Sequence, residues 1–208
     1  MKVLVACERS QVVCSAFRAV GVEAYSNDIL PCLGSHPDWH IMGDARRVVQ
    51  GTGYFPTQFG TTVVVKGSWD MIIAHPPCTM LTHSSAVALS KGLHTMADIE
   101  EARSFFLDML NAPAKRVAVE NPAPMKICRL PKYDQVIQPY QFGHPYSKRV
   151  CLWLRNMPPL LPMRGYYVEH EQWLNHCSSA QHRRARTFDG IAEAMAEQWG
   201  DLLASSDM

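Results

Sequence analysis

Short runs of branched and small apolar residues recur along this chain, most of them separated by stretches with helical spacing. That alternation most restricts the fold. Val3-Leu4-Val5-Ala6, Val22 to Ser26, Asp70 to Ala74 (DMIIA), Arg116 to Glu120 (RVAVE) and Val150 to Leu154 (VCLWL) read as strands, as does the β-branched run from Thr62 to Val65. Val12, Val13, Ala16, Phe17 and Val20 recur at helical spacing, and Gly21 stops them. Ile99, Ala102, Phe105, Phe106, Met109 and Leu110 mark an amphipathic helix that Pro113 ends. A last helix starts near Thr187 or Asp189 and turns Ile191, Met195, Trp199 and Leu202 to one side. Strands alternating with helices predict an α/β, Rossmann-like, doubly wound and mostly parallel sheet.

The chain of 208 residues reads as a single domain over 1–208, long enough to bury a core. Its net charge of +1 creates no global field that would drive it onto nucleic acid or a membrane, so such attraction must come from a local patch. No apolar run is long enough to span a bilayer and no signal peptide is apparent. The seven cysteines are odd in number and scattered without paired spacing, which predicts free thiols in a reducing cytoplasm.

In an open α/β sheet, ligands sit beyond the carboxyl ends of the strands. Glu8 and Ser10 follow the first strand, Asp28 the second, Cys78 follows DMIIA, and Glu120 ends RVAVE. A thiol and several carboxylates therefore converge on one rim, which points to an enzyme. In DMIIAHPPC two prolines hold the backbone stiff before presenting Cys78, as a nucleophile in an electropositive site requires. A lone cysteine after a Pro-Pro turn is more commonly a small core residue. In VAVENP, Glu120 ends an apolar strand, where desolvation is expected to raise its pKa and ready it to donate a proton. Standing alone, Glu120-Asn121 reads equally well as a turn-forming pair.

Taken in order, these motifs resemble those of the DNA cytosine-5 methyltransferases from residue 3 to about 204. SNDIL is similar to the segment whose acid, here Asp28, holds the ribose of S-adenosylmethionine; MGDAR resembles the Gly-Asp turn, whose acid is here Asp44. PPC matches the nucleophile motif at Cys78, VENP the motif that grips the cytosine at Glu120, and FGHPYSKRVCLWL the segment whose arginine contacts the base, here Arg149. RTFDGIAEAMAEQW resembles the closing motif beside the cofactor, implicating Thr187, Asp189 and Gly190. The resemblance further implies cofactor contacts from Glu8, Ser10 and Pro76, and substrate contacts from Pro77, Thr82, Asn121 and Lys148. It implies S-adenosylmethionine as cofactor, DNA as substrate, no metal, and a cytoplasmic setting, that of the host if a phage encodes the chain.

The departures are as informative. The family's glycine-rich first loop is here Ala6-Cys7-Glu8-Arg9-Ser10-Gln11, without glycine, and Lys148-Arg149 stand in a segment one residue shorter than the family's. Thr79 and Thr82 replace the usual Gln and Ser after the nucleophile. The target-recognition region is missing: after the Pro158–Pro162 stretch, only the short basic segment 163–186 precedes Thr187. From His144 to Arg186, Lys148, Arg149, Arg155, Arg164, Arg183, Arg184 and Arg186 stand against Glu169 and Glu171, with Tyr166, Tyr167 and Trp173 among them. That composition suits phosphate contact and base stacking, and equally a solvated basic face. His170, His176, Cys177 and His182 match no common zinc spacing and read as ordinary surface residues. The leading reading is C5 methylation of cytosine in DNA, with a homodimer or a specificity partner replacing the missing region. The alternatives are a catalytically retired protein that binds nucleic acid or a partner, and an enzyme of single strands or free cytosine nucleotides. An amino-group methyltransferase ranks below them, because His75-Pro76-Pro77-Cys78 lacks that motif's leading acid or amide and its aromatic.

Overall fold

The structure, a computed structural model, describes residues 1–163, 175–176 and 186–204. The elements in chain order are β1 (Lys2–Ala6), α1 (Val12–Ala19), β2 (Glu23–Asp28), β3 (His40–Met42), α2 (Ala45–Val48), β4 (Gly53–Pro56) and β5 (Thr62–Val65). There follow β6 (Met71–Ala74), α3 (Ala86–Ser90), α4 (Met96–Leu110), β7 (Arg116–Asn121), β8 (Gln135–Ile137), β9 (Tyr146–Ser147), β10 (Val150–Arg155), β11 (Asn175–His176) and α5 (Asp189–Ala204).

Seven strands form one sheet in the order β3-β2-β1-β6-β7-β10-β8. β3, β2, β1, β6 and β7 pair in parallel, whereas β10 runs antiparallel to both β7 and β8. This is the doubly wound, mostly parallel sheet expected from the sequence. The run Thr62–Val65 is a strand, as expected, but it pairs with β4 in a separate hairpin rather than entering the sheet. Its burial alternates, so one face covers the core edge while the other meets solvent.

The central strands are buried on both faces, which is why they read as continuous apolar runs. On one face Leu4, Ile72, Val117, Val119 and Trp153 pack with Phe106 and Met109 of α4 and with Trp69. On the other, Val3, Val5, Ile73, Ala118 and Leu152 pack with Phe17 of α1 and Ile191, Met195 and Trp199 of α5. Phe106 meets Trp153 edge-on at 4.8 Å, and each such buried ring stabilises by roughly 2–3 kcal/mol through removal from water. Helix α4 starts at a reciprocal cap: Thr95 Oγ1 accepts from Asp98 N, and Asp98 Oδ2 accepts from Thr95 N. These layers leave the carboxyl ends of β1, β2, β6 and β7 on one rim.

Candidate active site

His75 continues β6 by one residue, donating its amide to Ala6 O at 3.0 Å. Pro76 is buried and Pro77 exposed, and Cys78, half-buried, opens a turn whose carbonyl accepts from Leu81 N and Thr82 N. Asn121 reaches back from β7, with Nδ2 donating to Pro76 O at 2.8 Å. This bond ties the thiol-bearing loop to the end of the neighbouring strand.

The register Ala74↔Val119 sets His75 beside Glu120, and His75 Nδ1 donates to Glu120 Oε2 at 2.9 Å. Their side chains are 11% and 15% exposed, so the contact is largely shielded from water. Burial alone would raise the Glu120 pKa. The His75 hydrogen bond and charge, with the charge of Lys148, outweigh it and hold the carboxyl below the ordinary carboxylate value. The raised pKa expected from the sequence is therefore corrected, because the desolvated carboxyl has a built-in partner. Cys78 also differs from expectation. Burial and the neighbouring Glu120 charge push its thiol up, with Lys148 opposing. At rest it is a thiol in a site that does not favour the thiolate.

Lys148 thus acts on both Cys78 and Glu120. Arg149 instead donates to Tyr133 Oη, holds its guanidinium 5.5 Å over that ring, and acts on Cys151. Lys148 and Arg149 form the two-residue connection between β9 and β10, and their side chains leave it toward different partners. The structure brings Cys78, Glu120, Asn121, His75 and Lys148 together and directs Arg149 to an adjoining groove. Thr82 is buried under the Cys78 turn. Sequence reasoning passed over His75; its signal was its place in DMIIAHPPC, one strand residue before the prolines.

The loop after β1 is organised around Glu8, 4% exposed. Its carboxylate accepts from Val13 N at 2.7 Å, Cys14 N at 3.1 Å and Ser10 Oγ at 3.3 Å. A chain without glycine here caps α1 with its own carboxyl, which commits the Val13 and Cys14 amides and Ser10 to Glu8; burial pushes its pKa up, against the His75 charge and these bonds. Asp28 accepts from Leu30 N, and Asp44 caps α2 by accepting from Arg46 N. The two acids sit at adjacent strand ends, and Gly43 N donates to Asp28 O. Cys7 registers both: burial first, then Asp28 and Asp44, push its thiol up to about 12. At the far side, Thr187 precedes α5, Asp189 pairs with Arg186 at 2.7 Å, and Gly190 N donates to His144 Nε2. A Cβ on Gly190 would lie 2.0 Å from Phe142 O, so close packing of α5 requires glycine there.

Five buried side-chain polar atoms lack a hydrogen-bond partner among the described residues, and three belong to this rim: Asn27 Oδ1, His75 Nε2 and Asn121 Oδ1. Uncompensated buried polar atoms are costly, and their concentration at strand ends is what a ligand site presents. Most of the basic segment 163–186, with its aromatic and histidine residues, lies outside the described residues. No group of three metal-ligating side chains occurs among the described residues, and no described helix is long and apolar enough to cross a membrane.

No family model and no curated protein matches the chain. Among solved structures it is similar to a protein described as a DNA modification methyltransferase encoded within an E. coli prophage. That match has 13% identity and a TM-score of 0.42, over 74% of this chain and 46% of that one. It is also similar to the Entamoeba histolytica methyltransferase EhMeth, with 15% identity and a TM-score of 0.39, over 76% of this chain and 53% of that one. The chain spans about half the length of either structure.

Proposed function

We propose that the chain transfers a methyl group from S-adenosylmethionine to C5 of cytosine in DNA through a transient bond between Cys78 and C6. The observation that carries this reading is the delivery of Cys78 and Glu120 to one rim by neighbouring strands, with the Glu120 charge felt at the Cys78 thiol. Cytosine C5 is a weak nucleophile until sulfur adds at C6 and pushes the ring electrons toward N3. The Cys78 proton must leave as the S–C6 bond forms, and N3 must gain one. Glu120, held charged by His75, is suited to relay that proton and to hold N3 and N4. Lys148, the cation acting on both groups, suits the exocyclic oxygen, and Arg149 is left to the adjoining groove. Glu120 then takes back the N3 proton, and transfer of the C5 proton to a water-borne base forms the C5–C6 double bond and breaks the S–C6 bond, releasing Cys78 as thiolate. A base in a duplex must first leave the stack.

The donor set also fits the cofactor in part. Asp28 and Asp44 offer acceptors to ribose and amine groups, and the negative field they place on Cys7 favours a sulfonium cation. The Val13 and Cys14 amides, already bonded to Glu8, are not open to the cofactor's carboxylate, which leaves that end to Thr187 and its neighbours. When bound, S-adenosylmethionine supplies an electrophilic methyl group.

The test is transfer of label from S-adenosylmethionine to duplex DNA, single-stranded DNA and dCMP, with Cys78→Ala in parallel. Label on cytosine C5 that vanishes in the variant is expected. Transfer to none of the three, or label on an exocyclic amine, contradicts the proposal.

A further inference from the structure

Beside the Cys78 rim lies a cavity of about 350 Å³ lined by His83, Lys126, Lys132, Tyr133 and Arg149, with apolar and proline residues between them and no acid. Among the described residues, none of Lys126, Lys132 and Arg149 takes part in an ion pair. In a chain of net charge +1, three unneutralised cations on one groove form a local positive field. The groove is built onto the site. The turn begun at the Cys78 carbonyl leads to His83, Met125 N donates to Leu81 O at 2.8 Å, and Thr82 bridges to Pro124. Tyr133 fixes one wall, packing edge-on to Trp153 and accepting from Arg149.

We propose that this groove holds the phosphates of a single nucleic-acid strand next to Cys78. Lys126 and Lys132 would contact successive phosphates, and the Tyr133-held guanidinium of Arg149 would face the nucleotide nearest the thiol. A cavity at the small end of the roughly 300–1,000 Å³ range of ligand sites takes one nucleotide unit rather than a duplex. Cations along the backbone with an ordered aromatic wall are the features by which proteins track single strands. The proposal rests on the reading of the chain as a nucleic-acid-modifying enzyme and supplies the strand contact that a separate recognition region would otherwise provide.

Binding of a fluorescein-labelled oligodeoxycytidylate of about 12 nucleotides, within the ~4–16 that such grooves cover, tests it by anisotropy across a salt series. For Lys126→Gln/Lys132→Gln, the slope of log affinity against log salt should shrink by about 1.4, or ~0.7 per lost phosphate contact, with binding weakened about tenfold or more. Lys66→Gln/Lys115→Gln, exposed lysines away from the groove, should change neither. Equal losses from both double variants, or an unchanged salt slope in the first, overturn the proposal, as does dCMP competing as well as the oligonucleotide. The assay uses no cofactor and no chemistry. Groove-dependent binding without methyl transfer therefore removes only the catalytic reading, and transfer without groove-dependent binding removes only this one.

Discussion

Replacing His75 by alanine separates the two roles of the buried pair. In the native protein a charge-assisted bond at 2.9 Å links His75 to Glu120, both largely shielded. Such bonds contribute roughly 1.5–3 kcal/mol, and the partner left behind loses its compensation, so His75→Ala should cost about 2–3 kcal/mol near neutrality. In a Glu120→Gln background only a neutral bond is lost, about 0.5–1.5 kcal/mol, which leaves a coupling of about 1–2 kcal/mol. Native Glu120 titrates below its ordinary value of 4.5. Its stabilising contribution is therefore complete above that value and is lost as pH falls through the folded value. Without His75, burial raises the carboxyl against Lys148 alone, and the contribution reverses sign: it destabilises as pH rises from 4.5. The stability gap between native protein and His75→Ala should therefore widen from about pH 4 to about pH 7. Urea unfolding of the native, single and double variants across that range measures it. A gap that is flat with pH, or a coupling below about 0.5 kcal/mol, would refute the reasoning.

Cys78 should alkylate with iodoacetamide at pH 7 at about a hundredth or less of its alkaline plateau, because its thiol lies above the ordinary 9.0. Lys148→Gln should slow it further, as followed by peptide mass spectrometry; a faster variant would contradict the assigned field. Gly190→Ala should destabilise by about 3 kcal/mol, since its Cβ meets the Phe142 carbonyl at 2.0 Å. A urea midpoint unchanged in that variant would show that α5 packs otherwise. Asn121→Ala should cost about 1–2 kcal/mol by freeing the Pro76 carbonyl, and a neutral result would mean that other contacts tie the Cys78 loop to the end of β7.

The strands of the sheet's centre were legible because burial on both faces writes itself as unbroken apolar runs: VLVA, DMIIA and RVAVE are β1, β6 and β7. β3 and β8, three residues each at the sheet's outer positions, carry too little pattern to stand out from loops. β5 was recognised as a strand but not as part of a hairpin, since period alone does not say which partner a strand takes. In the site, the rule that ligands gather at carboxyl strand ends located Cys78 and Glu120. The ionisation states were misjudged because they depend on cross-strand neighbours: His75 sits opposite Glu120 only through the β6–β7 register. Glu8, expected to face the cofactor, turns into α1, a choice made by the helix's own unsatisfied amides.

The central claim is that Cys78 attacks the cytosine ring. Its most direct test is intact-mass analysis after incubation with S-adenosylmethionine and a single-stranded oligonucleotide carrying 5-fluorocytosine, whose C5 fluorine blocks the elimination that would release the thiol. A covalent protein–DNA species that maps to Cys78 and is absent from Cys78→Ala is expected. An oligonucleotide that binds yet leaves the protein mass unchanged would contradict it.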